Sequence, residues 1–424
     1  MPDIAYIREH LDTSKKAVES KAVVVDLDLL VALDTEVRSL QARVDELRQE
    51  QNQLAKSLGS REAADQHRDQ ISKLKNDLKQ VEDEFVGKRD KRDKLFSSVP
   101  NFPLPDVTVG KDESENEQIK KVGTPAGPSG EKIRDHVAIG KALDIIDIES
   151  AAKVSGTRFA YLKNEGVLLE LALVQYAMNI LLAKGFAPVI PPAIISEESM
   201  VGMGHTENGG SEDMYYIEKD KKYFIGTSEQ AIGPMLAGET VESDKLPLRY
   251  AGYSPCFRRE SGSYGKDTKG LLRVHHFDKV EMFSFVHPED GESEFEFLLQ
   301  CAEDLMQSLE IPYRLMKMCT GDLGVPAARK IDIESWIPSQ GIYRETHSIS
   351  TCTDYQARRL QIKYRDEKGK KDFVFMLNGT AFAIGRTLIA ILENFQQADG
   401  SVVIPKVLRP YMNGLEVILP KKTS

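Results

Sequence analysis

A heptad repeat runs through most of the N-terminal quarter of the chain. Apolar or permissive residues recur in alternating steps of three and four, at Leu30, Leu33, Val37, Leu40, Val44, Leu47, Gln51, Leu54 and Leu58. After a break at Gly59 and Ser60, the pattern resumes through Ala64, His67, Ile71, Leu74, Leu78, Val81, Phe85 and Leu95. Such spacing is typical of helices that pack along a seam. Two similar halves joined by a short turn predict a long antiparallel α-helical coiled-coil hairpin over residues 27–97.

A helical hairpin of this length has two common uses, which are dimerisation and the binding of a partner. A seam satisfied within one hairpin leaves little apolar surface for a second chain. The run KRDKRDK, residues 88–94, places five cations against two carboxylates. Such a run is usually a solvated face, but on an arm it can follow RNA phosphates. Both uses stay open at this point.

The composition limits the class of protein. A chain of 424 residues with 41% hydrophobic and 29% charged residues can form two or three soluble domains. Its net charge of -10 argues against nucleic-acid binding driven by overall charge, while a local basic patch could still bind a polyanion. The cysteines form no CxxC pair, which indicates neither a disulfide framework nor a zinc ribbon.

The sequence also predicts a cytoplasmic protein without membrane association. The N-terminus carries Asp3, Arg8 and Glu9 before any apolar run, unlike a secretory signal or a transit peptide. The most apolar long stretch, residues 166–186, contains Glu170 and Lys184 and predicts a buried helix.

A segment rich in proline, glycine and charge divides the chain. We interpret residues 106–130 as a linker, residues 1–105 as an N-terminal domain and residues 131–424 as a second domain. Helical segments and short strands mix in the second domain without an internal repeat, so we predict an α+β fold.

The stretch CFRRESGSYGKDTKGLLRVHHFDKVEMFSF predicts two strands around a polar loop, residues 261–270. Side chains alternate along a strand, so Arg258 and Glu260 are expected on one face, where they could hold a phosphate and a base edge. A cross-strand ion pair is the plainer interpretation. The loop adds residues that can fold over a ligand and attract anions, at Gly262, Gly265, Lys266, Lys269 and Gly270.

A second anion signal lies in NGTAFAIGRTLIAILENFQ, which we interpret as a short polar turn before an amphipathic helix. Gly385 and Arg386 fall near the predicted helix start, where the helix dipole and a guanidinium both favour anions. The glycine patterns of Rossmann and P-loop nucleotide sites are absent from the sequence.

Together these segments resemble the class II aminoacyl-tRNA synthetases. GFAPVIPPAII, the CFRRE stretch and LNGTAFAIGRTLIAILEN are similar to motifs one, two and three, in the order of that family. With the hairpin arm and the opening PDIAYIREH, the resemblance covers essentially the whole chain and points to the seryl-tRNA synthetases. It implies an antiparallel sheet flanked by helices, preceded by the arm.

The resemblance also implies a reaction. L-Serine would be activated by ATP to seryl-adenylate with release of pyrophosphate, and then transferred to the 3′ end of tRNA(Ser), which the arm would bind. Charging of tRNA(Sec) stays open. Gly185 and the Pro191-Pro192 pair of motif one imply a homodimer, although the prolines also suit a kinked edge strand.

The family's ATP-binding residues can be carried over by motif. Arg258 matches the arginine that holds the α-phosphate and the amino-acid carboxylate, and Arg386 and Arg273 match those on the γ-phosphate. Arg258 and Arg386 are the implied catalytic residues. Glu260 faces the adenine end and Phe277 stacks on adenine in this resemblance.

A magnesium site is implied as well. Glu345 and Ser348 resemble the metal-associated pair, and no zinc is expected. This part departs from the usual pattern, because His347 and Ile349 stand where many relatives carry serine and cysteine. A structural role for His347 is favoured over a substrate contact.

The resemblance further implies a serine pocket. Thr227 and Glu229 of GTSEQAI match the residues that receive the ammonium group, and Arg258 receives the carboxylate. Glu281, Asn378 and Thr380 match residues around the serine side chain. We expect an ion pair between Glu281 and Lys279 to be poor, on the argument that neighbouring strand residues face opposite sides.

Other functions are less well supported. Threonyl and prolyl enzymes carry a domain after the catalytic core, for which this chain leaves little length. A synthetase-like binding or regulatory protein need not retain all the motif residues. A zinc-dependent seryl enzyme or an amino-acid:carrier-protein ligase would differ in the arm or the pocket, and bound zinc would distinguish them.

Overall fold

The computed structural model describes residues 3–57, 68–125, 133–261 and 270–421. The chain forms two compact units, residues 2–100 and residues 101–424. Some predicted positions lie outside the described residues: the seam positions Leu58, Ala64 and His67, the turn at Gly59 and Ser60, and the loop residues Gly262, Gly265, Lys266 and Lys269.

The first unit confirms the predicted helical hairpin. Its helices are α1 (Ile4–Glu9), α2 (Leu11–Ser20), α3 (Leu27–Ser57) and α4 (Arg68–Ser97). Ion pairs join Arg48 to Glu82 and Lys88 to Glu36, so a residue early in α3 meets one late in α4, and the two helices are antiparallel. The heptad seam is buried between them at Leu30, Leu33, Val37, Val44, Leu47 and Leu78.

The basic run of α4 is largely paired within this unit. Lys88 contacts Glu36 at 2.5 Å, and Arg89 contacts Asp90 at 2.9 Å. Arg92 reaches the buried Asp34, which also receives Arg8 at 2.6 Å. Lys91 and Lys94 are exposed and form no ion pair among the described residues. The cationic surface of the run therefore consists mainly of these two lysines.

The second unit has the predicted α+β class, built on an eight-stranded sheet in the order β1-β11-β12-β13-β16-β10-β9-β4. Neighbouring strands are antiparallel except for the parallel pair β4 and β9. The strands of this sheet are β1 (Glu117–Val122), β4 (Ala187–Val189), β9 (Leu248–Phe257), β10 (His276–Val286), β11 (Tyr313–Lys317), β12 (Arg329–Ile337), β13 (Ile342–Thr351) and β16 (Phe375–Ala383).

Smaller sheets and helices complete the unit. The remaining strands are β2 (Ile146–Asp147), β3 (Tyr161–Leu162), β5 (Ile194–Ser196), β6 (Tyr216–Ile217), β7 (Lys222–Phe224), β8 (Thr240–Glu242), β14 (Lys363–Arg365), β15 (Lys371–Phe373), β17 (Val402–Val403) and β18 (Val417–Ile418). The helices are α5 (His136–Leu143), α6 (Ile148–Ser155), α7 (Glu165–Ala183), α8 (Glu197–Met203), α9 (Glu229–Ile232), α10 (Gly291–Ser308), α11 (Tyr355–Leu360) and α12 (Ile384–Asn394).

The large sheet separates the core from a cavity. Val280 and Met282 of β10 pack into the main hydrophobic cluster, to which helices α10 and α12 contribute Phe295 and Leu388. Side chains of Phe277, Lys279 and Glu281, from the alternate positions of β10, line a cavity instead. Period-two alternation therefore gives one strand an apolar face and a chemically active face.

Two local predictions were wrong. Strand β9 ends at Phe257, and Glu260 has a left-handed backbone with φ +52°, so Arg258 and Glu260 do not share a regular strand face. The predicted polar turn before Arg386 is strand β16, which passes directly into α12. Its polar residues, Asn378 and Thr380, are buried beside the cavity rather than in a solvent turn.

The segment interpreted as a linker contains strand β1, which pairs with β11 at the edge of the large sheet. Five of its six residues are exposed. An edge strand without a buried face shows no apolar alternation, which explains why composition suggested a linker.

Helix α7 corresponds to the stretch predicted as a buried helix, and only one of its faces is buried. Leu169, Leu173 and Leu181 are fully covered, whereas Leu168 and Leu171 are exposed. Among the described residues, α7 is the one helix long and apolar enough to cross a membrane by length and composition, a test that a core helix also passes.

Glu170 of α7 shares a hydrogen bond with Asp278 of β10, and burial together with this neighbour raises the pKa of Glu170 to about 8. The folded state therefore holds a proton that the unfolded state releases above about pH 4.5. Stability from this group should be present below pH 4.5 and be lost as pH rises towards 8. We expect Glu170→Gln to flatten the loss of thermal stability over this range. An equal decrease of melting temperature with pH in the wild type and the variant would contradict this prediction.

Candidate active site

A cavity of about 550 Å³ opens on the large sheet of the second unit. This volume is within the range of small-molecule sites. All of the residues predicted for the site line it: Thr227, Glu229, Arg258, Glu260, Arg273, Phe277, Glu281, Glu345, Ser348, Asn378, Thr380 and Arg386. Residues far apart in the sequence are thus brought together around one space.

Arg258 follows the last residue of β9 and is held at both its backbone and its side chain. Its N–H donates to His275 O at 3.0 Å, and its Nε donates to Gly226 O at 3.2 Å. The guanidinium carbon lies 5.3 Å from the centre of the Phe277 ring, a cation–π distance. Among the described residues, no acidic side chain forms an ion pair with Arg258, which leaves its outer N–H groups available to an anion.

A buried ion pair lies at the inner end of the cavity. Lys279 Nζ contacts Glu281 Oε2 at 2.6 Å, and Thr380 Oγ1 donates to the same oxygen at 3.1 Å. The prediction of a poor Lys279–Glu281 pair was wrong, because residues two apart on a strand point to the same face. Thr380 is the cross-strand partner of Glu281, which explains their contact. Burial nevertheless raises the pKa of Glu281, against the opposing effect of Lys279.

Glu229 forms a second carboxylate position. Gln356 Nε2 donates to Glu229 Oε1 at 2.9 Å, and His205 Nε2 lies 3.4 Å from the same oxygen. Burial of Glu229 opposes ionisation, but His205, Gln356 and Lys279 outweigh it and lower the pKa of the carboxyl. The Thr227 hydroxyl accepts from Glu229 N at 3.3 Å and turns towards the same wall. An ionised carboxylate beside a hydroxyl is a suitable receptor for an ammonium group.

Arg386 and Glu345 form another ion pair in the lining of the cavity. The Arg386 guanidinium contacts Glu345 Oε2 at 3.2 Å and donates to Glu345 O at 2.9 Å. Desolvation opposes ionisation of Glu345, but the charges of Arg386, Lys330 and Arg258 outweigh it and lower the pKa to about 2. Arg273 pairs with Glu260 at 3.2 Å on the same side of the cavity. Three arginines and one lysine therefore surround this space, which suits a polyanion.

Ser348 lies beside Glu345 on β13, opposite Asp332 of β12. Asp332 is buried, and one of its carboxylate oxygens has no hydrogen-bond partner in the part of the chain that the structure describes. His347 and Ile349 do not line the cavity. The His347 ring contacts Phe382 in the core and burial lowers the pKa of the imidazole to about 4, so the favoured structural role agrees with its position. The departures from the family pattern lie behind the cavity wall.

Several cavity residues were missed in the sequence. His205 and Lys330 line the cavity, and Gln356 reaches it through Glu229. Nothing in their local sequence marks them as functional, because they come from separate elements that meet only in the fold. Lys279 could have been found from its spacing, since Phe277, Lys279 and Glu281 alternate along one strand.

The sequence is similar to those of known proteins over its whole length. A family model described as the seryl-tRNA synthetase N-terminal domain matches residues 1–103, and the class II core domain of tRNA synthetases (G, H, P, S and T) matches residues 215–395. The serine–tRNA ligase of Streptomyces coelicolor is 44% identical, over 99% of each chain. The chain belongs to the seryl-tRNA synthetase family.

Solved structures of seryl-tRNA synthetases support the same relation. The Pyrococcus horikoshii seryl-tRNA synthetase, solved with ATP, is 39% identical with a TM-score of 0.92 and full coverage of both chains. The cytoplasmic serine–tRNA ligase of Naegleria fowleri, solved with AMP, is 31% identical with a TM-score of 0.87 over 99% of each chain. The predicted family and fold class are confirmed. The described residues of this seryl-tRNA synthetase family member contain no cluster of three or more histidine, cysteine or acidic side chains placed to hold a metal ion.

Proposed function

We propose that the chain is a serine–tRNA ligase that forms seryl-adenylate from ATP and L-serine and then esterifies tRNA(Ser). The observation that carries this proposal is the shared cavity, which is lined both by Arg258, Arg273, Arg386 and Lys330 and by the Glu229 and Glu281 carboxylates. The cations suit a triphosphate, and the carboxylates suit the ammonium and the hydroxyl of serine. Membership of the seryl-tRNA synthetase family supports the same reaction.

Arg258 is the residue we assign to the reacting centre. Its free guanidinium N–H groups would hold the α-phosphate and the serine carboxylate together. The carboxylate is itself the nucleophile, and an in-line attack on the α-phosphorus breaks the bond to pyrophosphate. A side-chain nucleophile is unnecessary, since positioning and charge stabilisation supply the catalysis.

We propose the remaining ATP contacts from the resemblance to the family motifs, and all of these residues line the cavity. Phe277 would support the adenine ring on its face, while Glu260 would accept from the adenine amino group. Arg273 and Arg386 would hold the γ-phosphate, replacing part of their present pairing with Glu260 and Glu345. The guanidinium geometry suits bidentate phosphate contacts.

The residues around Glu345 fit a magnesium ion. Glu345 and Ser348 offer a carboxylate and a hydroxyl to the cavity. Asp332, the cross-strand partner of Ser348, adds a buried oxygen that accepts no hydrogen bond from the described residues. Hard oxygen ligands and few protein contacts are typical of Mg²⁺ at phosphate sites. Bound there, Mg²⁺ would neutralise phosphate charge. Arg386 orients Glu345 for that position through its ion pair with the Glu345 carboxylate.

We assign serine recognition to Glu281, Thr380 and Asn378 at the inner end of the cavity, with Thr227 and Glu229 at the ammonium. Glu281→Ala should raise the KM for serine about tenfold or more and narrow the preference for serine over alanine, because a charged hydrogen bond is lost. The KM for ATP should change little. Pyrophosphate exchange with serine and alanine measures these constants.

A control is needed because Glu281→Ala also leaves Lys279 buried without its ion pair. Removing one partner of such a pair typically costs about 3–5 kcal/mol of stability. The double variant Lys279→Met, Glu281→Ala removes both charges, so it should regain stability while the serine preference stays narrowed. A restored preference in the double variant would place the effect in folding rather than in serine binding.

We propose residues 1–105 as the tRNA-binding domain and residues 131–424 as the catalytic domain, acting in the cytoplasm. The hairpin buries its apolar seam internally, which argues against a role in dimerisation. Exposed cations such as Lys91 and Lys94 can contact phosphates. Charging assays with tRNA(Ser) and tRNA(Sec) test both substrates.

We also propose a homodimer through helix α7, which precedes motif one. Its outer face exposes Leu168, Leu171 and Leu182, and Ile190 beyond β4 is exposed as well. Several large apolar side chains exposed along one helix suit an interaction site. Leu171→Glu should therefore shift the chain from dimer to monomer in sedimentation velocity. Val154→Glu on α6, another exposed apolar position, should leave the dimer intact. A monomeric wild type would contradict the proposal.

Pyrophosphate exchange with each common amino acid tests the main assignment. Serine should support the fastest exchange, and the reaction should require Mg²⁺. Faster exchange with threonine or proline would overturn the assignment of serine. Absence of exchange with all of them, with ATP still bound, would favour a binding protein that has lost catalysis.

A further inference from the structure

A buried histidine outside the cavity joins two segments that carry cavity arginines. His136 is the first residue of α5 and is almost fully buried. Its backbone N–H donates to Glu393 Oε1 at 3.0 Å, and its Nδ1 lies 3.1 Å from the same oxygen. On its other side, Leu271 N donates to its Nε2 at 3.2 Å. His136 thus lies between helix α12 and residues 270–274.

These contacts determine the protonation of the ring. A backbone N–H can only donate, so Nε2 must be the unprotonated nitrogen that accepts from Leu271. Nδ1 then carries the proton and donates to Glu393. The other oxygen of Glu393 accepts from Ser339 N at 3.0 Å, so this fully buried carboxylate is held on both sides. His136 therefore connects the fixed Glu393 carboxylate to the backbone of Leu271 through its two ring nitrogens.

Residues 270–274 in turn hold the phosphate-facing side chains. Arg386 Nε donates to Leu272 O at 3.4 Å, and Arg273 pairs with Glu260 at 3.2 Å. Gly385 packs so closely that a Cβ on it would lie 3.3 Å from Leu271 O. A displacement of Leu271 would therefore change the positions of both Arg273 and Arg386.

The backbone is fitted to the imidazole. Gly270 has φ +84°, and a Cβ added there would lie 2.0 Å from His136 Nε2. Glycine satisfies both the left-handed conformation and the close approach. The ring, the glycine and the Leu271 N–H therefore form one contact.

We propose that His136 is a positioning residue for ATP binding. By linking Glu393 to Leu271, it fixes the backbone of residues 270–274 and so places Arg273 and Arg386 where they contact the triphosphate. The identity of the ligand rests on the proposed function. His136 does not line the cavity, so its effect should be confined to the phosphates that these arginines reach.

Two substitutions test the contacts of the two ring nitrogens separately. In His136→Asn, the amide can take the position of Nδ1 and still donate to Glu393, but no atom accepts from Leu271. In His136→Gln, the backbone N–H of residue 136 still donates to Glu393, and the longer side chain can place an amide oxygen near the position of Nε2 and restore the acceptor for Leu271. Isothermal titration of the full chain with MgATP and with AMP measures binding, and thermal unfolding measures stability.

We expect His136→Asn to weaken MgATP binding about three- to tenfold, the effect of one lost hydrogen bond, with AMP binding unchanged. His136→Gln should bind MgATP within about twofold of wild type. Gly270→Ala should reproduce the asparagine effect and add little to it in the double variant.

Other outcomes would overturn the proposal. The first is an equal loss of MgATP affinity in both histidine variants, in proportion to their losses of melting temperature. The second is a loss of AMP affinity as large as the loss of MgATP affinity. The third is an unchanged MgATP affinity in His136→Asn. A wild type that binds MgATP without serine-dependent exchange would overturn the proposed function and leave this comparison valid. A wild type that does not bind MgATP would overturn both.

Discussion

Arg258→Ala is expected to reduce serine-dependent pyrophosphate exchange about 100- to 1000-fold or more, since losing one transition-state charge contact costs about 3 kcal/mol. One guanidinium would be lost from both the phosphate under attack and the attacking carboxylate. The Nε bond to Gly226 O and the packing over Phe277 show that the wild-type side chain is already held in one orientation. The loss should fall mainly on kcat, because the contact strengthens as charge develops.

Arg259→Ala is the matched control. Arg259 is the next residue in the chain, but its side chain packs over Tyr215 at 5.3 Å and does not line the cavity. Its exchange rate should stay close to wild type. A folded Arg258→Ala protein with near-normal exchange, or equal losses in both variants, would reject the assignment of Arg258 to the reacting centre.

Deleting residues 2–100 is expected to abolish tRNA charging, by at least about 1000-fold, while leaving serine-dependent exchange largely intact. These residues form a compact unit by themselves, and every cavity residue belongs to the other unit. Contacts with tRNA phosphates would be lost, whereas adenylate formation uses only the cavity. Assays of the same preparation should therefore show nearly normal pyrophosphate exchange and no tRNA charging.

Two outcomes of the deletion experiment would contradict this prediction. If exchange falls as steeply as charging, the hairpin stabilises the catalytic unit rather than binding tRNA. If charging persists, the tRNA contacts lie elsewhere. Reversing the charge of the unpaired lysines, Lys91→Glu with Lys94→Glu, is the milder test and should weaken charging with a raised KM for tRNA.

The sequence predicted best where local pattern and fold agree. The heptad seam specified the hairpin, because its apolar spacing needs only two adjacent helices to be satisfied. The motif residues were found because their order along the chain is characteristic of a family. Their convergence on one cavity could not be derived from spacing, since Thr227, Glu345 and Arg386 come from separate elements.

Other features were hidden for physical reasons. Strand β1 has almost no buried side chain, so it lacks the apolar signal that marks a strand. Strand β16 carries Asn378, Gly379 and Thr380, which resemble a turn, although a Cβ on Gly379 would lie only 3.2 Å from Met282. Small and polar residues here reflect close packing and the cavity wall. His205 and His136 act through contacts that only the tertiary structure creates.

The Lys279–Glu281 pair has a consequence for how accurately the enzyme selects serine over alanine. Because Lys279 and Thr380 already contact the Glu281 carboxylate, its charge stays paired whether or not a substrate hydroxyl is present. A smaller amino acid such as alanine would therefore not leave a bare anion behind, and its rejection would rest on the loss of a single hydroxyl contact. Misactivation of alanine should accordingly rise with its concentration in the cell, so the ratio of the two free amino acids would help to set the error rate of serine codons.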